Sequence, residues 1–462
     1  MVTHRRTVGR PGVRASFSPL RRFHHPAQVV VTGFLLAIAV GTGLLSLPVA
    51  TASGEPARFP DALFTATSAV CVTGLTAVDT GTHWSTAGLV IIACLFQIGG
   101  LGIMTLATLL AVVVSGRLGL RARLAVQAET KSLRMADVRR LVRNVVLFSL
   151  GCEAVTAVVL AVRFATAHGE GAGRAAFLGV FHAVSAFNNA GFAVWPDSLV
   201  RFAADPWICL PVALAVIVGG LGFPVVFELA RSWHRPAGWT VLTRITLAVT
   251  AALLVTGTLV LTLTEWNNAR TLGALPDGWT RLQAGFFAAV MPRSGGFAVL
   301  DIAQMRPESW LVMDMLMFVG GGSAGTAGGI KVTTFGLLAC VVWAELRGEA
   351  RVNVGRRRVP EGTQRQAVAI VLLAVALVLP ATFAMMALTG HPLDRVLFEV
   401  ISASATVGLS TGITPGLPPA AHGLLVALMF VGRIGPLTLG TALALRDRTR
   451  RHELPEERPI VG

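Results

Sequence analysis

Phe59–Val70 followed by Cys71-Val72-Thr73-Gly74-Leu75 decides how this chain is read. The first part is an apolar segment of 12 residues, too short to cross a hydrocarbon core of about 30 Å as a helix. The second part is a small-residue turn closed by glycine and a large apolar residue. The same pair recurs three times. Arg174–Phe187 runs into Asn188-Asn189-Ala190-Gly191-Phe192, and Trp279–Met291 is followed by Arg293-Ser294-Gly295-Gly296-Phe297. Pro392–Ala405 leads to Ala405-Thr406-Val407-Gly408-Leu409. The turn glycines are 117, 105 and 112 residues apart. A second glycine feature follows each turn, placing Gly100, Gly220, Gly322 and Arg433 at offsets of 26, 29, 26 and 25 from the turn glycine. Two features in register four times define an internal repeat.

Around these short segments lie long apolar blocks. Of 462 residues, 53% are hydrophobic and 14% charged, against about 25% charged in soluble domains. Spans are predicted at 27–49, 87–114, 141–167, 206–230, 241–264, 308–346 (interrupted), 366–389 and 420–445. The first is longer than the apolar region of a signal peptide and shows no cleavage pattern, and it is kept as a span. The expected fold is an all-α polytopic membrane protein with eight spans, built from four span–pore helix–filter–span repeats around a central pore. The units are a basic tail 1–26, repeat one at 27–115, repeat two at 116–231, repeat three at 232–347, repeat four at 348–446 and a tail 447–462. The net charge of +15 is concentrated in 1–26, 115–143, 231–244, 347–365 and the end of the chain from Arg446. These are alternate connections, so the positive-inside rule puts both termini in the cytoplasm. Lipid-surface charge accounts for the basic runs, and no nucleic-acid partner is expected. The five cysteines fall in or beside apolar segments without metal spacing.

Non-helical backbone at membrane depth is tolerated only where it lines a wet path or is buried in protein. Four such turns meeting on one axis would present carbonyls in place of a cation's hydration shell. The preceding short helices would point their partially negative ends at the same place.

These residues resemble the Trk/Ktr/HKT superfamily of potassium transporters. Thr406-Val407-Gly408-Leu409 is similar to the potassium-channel filter signature, with Leu where channels place Tyr. Ala69-Val70-Cys71-Val72-Thr73-Gly74-Leu75-Thr76 with Val78-Asp79-Thr80 is similar to the first filter of the bacterial members. Eight spans beginning with the first repeat, and an ending Glu453-Leu454-Pro455-Glu456-Glu457 to Ile460-Val461-Gly462, resemble the Ktr-type bacterial membrane subunit. The resemblance implies potassium uptake across the plasma membrane through a gated pore, with no enzyme activity. It also implies a homodimer on a cytoplasmic, nucleotide-binding regulatory subunit (a KtrA-like ring). Potassium is then the substrate, this chain carries no cofactor, and an ATP- or ADP-type nucleotide belongs to the partner. Val72, Thr73, Gly74, Asn189, Ala190, Gly191, Ser294, Gly295, Gly296, Thr406, Val407 and Gly408 are the expected potassium-filter residues. Plant relatives with Ser at the first filter Gly transport sodium. Gly at all four positions here favours potassium over a less selective sodium/potassium path.

The stretch from Phe318 to Lys331 is too rich in glycine for a continuous helix, at about 1 kcal/mol per Gly relative to Ala. It reads as an unwound or mobile loop, 320–330, matching the segment that gates the pore in the family; a packing kink is the plainer alternative. The expected gate residues are Gly321, Gly322, Ser323, Gly325, Gly328, Gly329, Lys331 and Arg433. Arg433 is a lone charge in a span, which marks function by default. It is expected to meet the Gly-rich loop, a structural carboxylate partner being the alternative. Lys331 is expected to reach the cytoplasmic interface or hold the loop closed. Arg293 is expected on the outer side of its turn. Asn188 and Asn189 are expected to bond the filter turns. Asp79, Asp197, Asp301 and Glu399 are expected near outer mouths, in cap or loop roles or as attractors of cations. Gly321-Gly322-Ser323-Ala324-Gly325 also fits GxSxG, the pattern of a serine nucleophile. An intramembrane serine hydrolase would need a base at Ser323, and His182, His391 and His422 are the candidates.

Overall fold

The computed structural model describes residues 26–116, 135–349, 351–354 and 357–444. The predicted tails 1–26 (Pro26 apart) and 447–462, and most of the basic stretch 115–140, lie outside the described residues.

The described chain is mostly helical, with loops between the helices and one two-stranded ribbon pairing Asn353–Val354 with Arg357–Arg358. In chain order the main helices are α1 Pro26–Leu45, α2 Phe59–Val70, α3 Thr86–Gly116, α4 Met135–Ala167, α5 Ala172–Phe187, α6 Pro206–Leu221 and α7 Phe223–Ser232. They continue with α8 Val241–Glu265, α9 Gly278–Val290, α10 Pro307–Phe318, α11 Val332–Leu346, α12 Glu361–Thr389, α13 Leu393–Ser404 and α14 Pro419–Ala444. The short segments read from the sequence are α2, α5, α9 and α13. Their starts follow local chemistry. Pro60 sits in the first turn of α2, where its missing N–H costs nothing. The Asp277 carboxylate accepts the Thr280 N–H at 2.8 Å to cap α9.

Four helices are long and apolar enough to cross a membrane, or five if a bent pair is one span, among the described residues. That pair is α6–α7. The sequence predicts one span over 206–230, but the helix stops at Gly222 (φ +87°) and resumes at 99°. A side chain is excluded there because a Cβ on Gly222 would overlap the Ser323 carbonyl oxygen. The predicted interruption of 308–346 lies between α10 and α11.

Each short helix packs on its own flanking helices and is also touched from the previous unit. Helix α3 packs on α5, α6 on α9, α10 on α13, and α14 back on α2. The circuit closes between the two ends of the chain. The buried apolar core runs through this circuit, while Val155, Val158 and Val162 on α4, Val255 and Leu259 on α8, and Leu372, Leu379 and Phe383 on α12 are exposed. An apolar exterior around a packed interior suits helices bathed in hydrocarbon.

At the end of α8, buried Glu265 gathers the Arg306 N–H (2.8 Å), the Thr271 hydroxyl (2.6 Å), the Asn268 amide (2.7 Å) and the Ser309 hydroxyl. It therefore joins α8 to α10 through charge-assisted bonds. Glu265→Ala strands these donors and should lower stability by about 3 kcal/mol. A clear fall in the detergent unfolding midpoint is expected for Glu265→Ala and a smaller one for Glu265→Gln, checked by thermal denaturation with size-exclusion detection.

Candidate functional site

The C-termini of α2, α5, α9 and α13 enter four turns of one design. In each, two residues two apart have positive φ: Val72 (55°) and Gly74 (89°), Asn189 (60°) and Gly191 (71°), Ser294 (76°) and Gly296 (73°), Thr406 (48°) and Gly408 (96°). The left-handed region costs a non-glycine residue about 1–2 kcal/mol, so packing must hold it. The turns fold back on their helices. The Thr73 N–H donates to Ser68 O (2.8 Å), Ala190 to Ser185 O (2.7 Å), Gly295 to Met291 O (2.7 Å) and Val407 to Ser402 O (2.8 Å). In the first and fourth turns a serine hydroxyl also accepts the glycine N–H, Ser68 from Gly74 at 3.0 Å and Ser402 from Gly408 at 3.1 Å.

The four turns touch in sequence. A Cβ on Gly74 would overlap Ala190 O and lie 3.2 Å from the Gly191 Cα. One on Gly191 would lie 2.7 Å from the Gly296 Cα, one on Gly296 2.5 Å from Val407 O, and one on Gly408 3.1 Å from the Gly74 Cα. The expected filter residues are thus brought together, and at each of the four glycines the neighbouring backbone occupies the space of a side chain.

Against this ring lies the segment between α10 and α11. It is unwound, as expected, but heavily bonded. Gly320 N–H donates to Ile330 O (2.9 Å), Gly322 N–H to Gly220 O (2.7 Å), Thr326 N–H to Gly219 O (3.1 Å) and Val332 N–H to Gly321 O (3.0 Å). The Ser294 hydroxyl donates to Thr406 O (2.8 Å) and accepts the Gly328 N–H (2.9 Å), so one side chain joins the third turn, the fourth turn and the loop. Asn189, with its amide nitrogen toward Phe187 O (3.2 Å), meets the Thr326 hydroxyl at 2.9 Å. Gly321 and Gly325 sit against the backbone of Gly220, and Gly328 against Ala405 and Thr406.

Three basic side chains reach into the loop. Arg433 Nη1 donates to Thr326 O at 2.7 Å, Lys331 Nζ donates to Ala327 O, and Arg293 Nη2 donates to Gly320 O at 3.1 Å. Arg433 meets the loop as expected, and no carboxylate pairs with it among the described residues. Of the two expectations for Lys331, the contact with the loop is the one found. Arg293 differs from its reading. It is buried and turned inward to Thr250 and Gly320 rather than outward.

Other expectations divide. Asp79 caps a one-turn helix through the Thr82 N–H (2.7 Å), Asp301 caps Ala303 (3.0 Å), and Asp197 pairs with Arg201 (2.7 Å). Glu399 is not at an open mouth. It is fully buried and accepts the Ser410 hydroxyl (2.7 Å), the Thr411 N–H (2.8 Å) and the Thr414 hydroxyl (2.6 Å). The Asn188 side chain turns away from the neighbouring turns to Gln97 and Glu153. Ser323 contacts the Thr333 hydroxyl (2.9 Å), while His182 bonds Leu178 O and His422 bonds Thr414 O. Glu153, Gln97 and Thr326 were not singled out from the sequence. Glu153 could have been, as an acid near the middle of the span 141–167, whose other charges, Arg143 and Arg163, lie toward its ends.

The TrkH family model, described as cation transport protein, matches residues 14–449. The chain is 38% identical over 424 residues to Ktr system potassium uptake protein B of Bacillus subtilis, covering 92% of this chain and 94% of that one. It is 39% identical to the protein of the same name from Vibrio alginolyticus, covering 94% of each. It is 33% identical to potassium/sodium uptake protein NtpJ of Enterococcus hirae, covering 96% and 98%. In fold it is similar to the crystal structure of the potassium transporter TrkH from Vibrio parahaemolyticus, with a TM-score of 0.72 at 18% identity over 91% of this chain and 84% of that one. The apolar helices, the ring of glycine turns and a family match spanning nearly the whole sequence agree: the chain is a membrane-embedded member of the TrkH family of cation transport proteins.

Proposed function

We propose that this chain is the ion-translocating subunit of a Ktr-type system for potassium-selective uptake across the bacterial plasma membrane. Eight spans form four repeats, 27–115, 116–231, 232–347 and 348–446, around one pore, with both termini in the cytoplasm. The carbonyls of Val72, Thr73, Gly74, Asn189, Ala190, Gly191, Ser294, Gly295, Gly296, Thr406, Val407 and Gly408 replace the hydration shell of potassium. The closed circuit of four glycines carries this reading, because backbone can approach an axis from four sides only where side chains are absent. The ends of α2, α5, α9 and α13 add partial negative charge. The membrane potential, about 2.3 kcal/mol per charge per 100 mV, draws the cation inward.

In the same reading, residues 320–330 with Lys331 and Arg433 form the gate. The bond from Arg433 to Thr326 O ties the loop to α14, and the bond from Lys331 to Ala327 O fastens the loop to its own end. Opening must release them. Two relatives are named as proteins of a Ktr system, which supports a second component. We assign to it the nucleotide site, as a cytoplasmic ring beneath a homodimer of this chain. The Enterococcus relative carries sodium in its name, so selectivity is the quantity to measure.

Uptake in cells lacking their own potassium transport tests both assignments. Gly74→Ser and Gly408→Ser place a side chain where backbone now packs and should lower potassium-over-sodium preference by about ten-fold. Unchanged preference in both variants would remove the filter assignment. Arg433→Ala deletes a charge-assisted bond worth about 1.5–3 kcal/mol. It should raise potassium flux by about ten-fold or more, as should shortening of 320–330. Wild-type flux in both would refute the gate.

A further inference from the structure

A carboxylate stands behind the second turn with no basic side chain paired to it among the described residues. Glu153 projects from α4 and is 4% exposed. The Gln97 amide donates to both of its oxygens at 3.1 Å, and the Asn188 amide donates to Oε1 at 3.2 Å. Asn188 also donates to Val184 O at 2.9 Å and to Gln97 Oε1, which locks the three side chains together. Among the described residues every hydrogen bond at the carboxylate is donated to it, and no bonded group accepts a carboxyl proton. That arrangement suits the ionised, acceptor-only form. All the donors are neutral. No lysine, arginine or histidine forms an ion pair with Glu153 among the described residues.

A charge inside a membrane protein is costly unless something of opposite sign offsets it. Packing alone does not require it, since glutamine has nearly the same shape. The group nearest to Glu153 along the chain of contacts is the second turn. Asn188 ends α5 and precedes Gly191 of the ring by three residues. The fourth turn, opposite the second in the circuit, has a counterpart. Glu399 is fully buried and also held only by neutral donors, from Ser410, Thr411 and Thr414. Meanwhile the basic groups Arg293, Lys331 and Arg433 are occupied with loop carbonyls.

We propose that Glu153 is a fixed negative charge that sets the cation affinity of the ring, its counter-charge being the permeating ion. This rests on the filter reading above and adds a determinant of affinity to it. In low dielectric a unit charge acts over several ångströms with little screening. Glu153 therefore acts from behind the turn without touching the ion, as a positioning residue whose contribution is electrostatic.

The test separates charge from shape by potassium uptake kinetics in the same cells, with membrane protein quantified. Glu153→Gln keeps the shape and removes the charge; Glu153→Asp keeps the charge and shortens the side chain. Glu153→Gln should raise KM about five-fold or more, with a smaller change in maximal rate, and Glu153→Asp should stay within about two-fold of wild type. An unchanged KM in Glu153→Gln, or equal impairment in both variants, overturns the proposal. So does loss of Glu153→Gln from the membrane while Glu153→Asp remains, because the charge then serves folding. Gly74→Ser run alongside reports on the filter itself. If it alters selectivity while Glu153→Gln leaves KM unchanged, only the role of Glu153 fails.

Discussion

The close approach of four glycines is the constraint on which the rest of the structure depends. Each turn places backbone where the preceding turn's side chain would stand, and the contact passes from Gly74 to Gly191, Gly296, Gly408 and back to Gly74. Backbone polar groups inside a membrane cannot turn to solvent. The turns therefore satisfy themselves on their own helices, through Ser68, Ser185, Met291 and Ser402. Helix length follows from the same need. α2, α5, α9 and α13 stop within the protein because their C-termini must deliver the turns to a common place. The flanking helices and the interlocking order α3–α5, α6–α9, α10–α13 and α14–α2 then hold them there.

Beneath this common design the units differ, and the differences concentrate around the segment between α10 and α11. Its backbone pairs with Gly219 and Gly220, and those contacts are possible because α6 presents bare backbone just before it bends at Gly222. The loop is thus unwound without being loose. Its carbonyls take Arg293, Lys331 and Arg433, so positive charge is spent on backbone oxygen and not on carboxylates. Ser294 adds a direct mechanical link between loop and ring.

Much of this was legible in the sequence because the relevant signals are local. The boundaries of α2 agree with the reading to the residue, and those of α5, α9 and α13 fall within two residues of it at each end. Small-residue turns at fixed spacing are visible without knowing what they touch. The interruption after Phe318 was equally plain from its glycines. What was missed depends on distant partners. The stop at Gly222 was missed because Gly220-Leu221-Gly222 repeats a motif that stays helical at Gly100-Leu101-Gly102, although Pro224 two residues on marks a helix end. The inward turn of Arg293 depends on Thr250 and Gly320. Glu399 takes a loop role, but its full burial depends on Ser410, Thr411 and Thr414 folding over it. The tails and the basic stretch 115–140 lie outside the described residues and add nothing to this comparison.

The closure between Gly408 and the first turn has a consequence for biogenesis. Gly408 packs against Thr73 O and the Gly74 Cα, so the first turn receives its last neighbour from the far end of the chain. During synthesis the amino-terminal helices enter the membrane while that flank is still open. Translation order thus imposes a waiting period. The exposed backbone of the first turn has to be sheltered by water, lipid headgroups or the insertion machinery until the final unit arrives. Truncation before the fourth turn would leave a ring with a missing side.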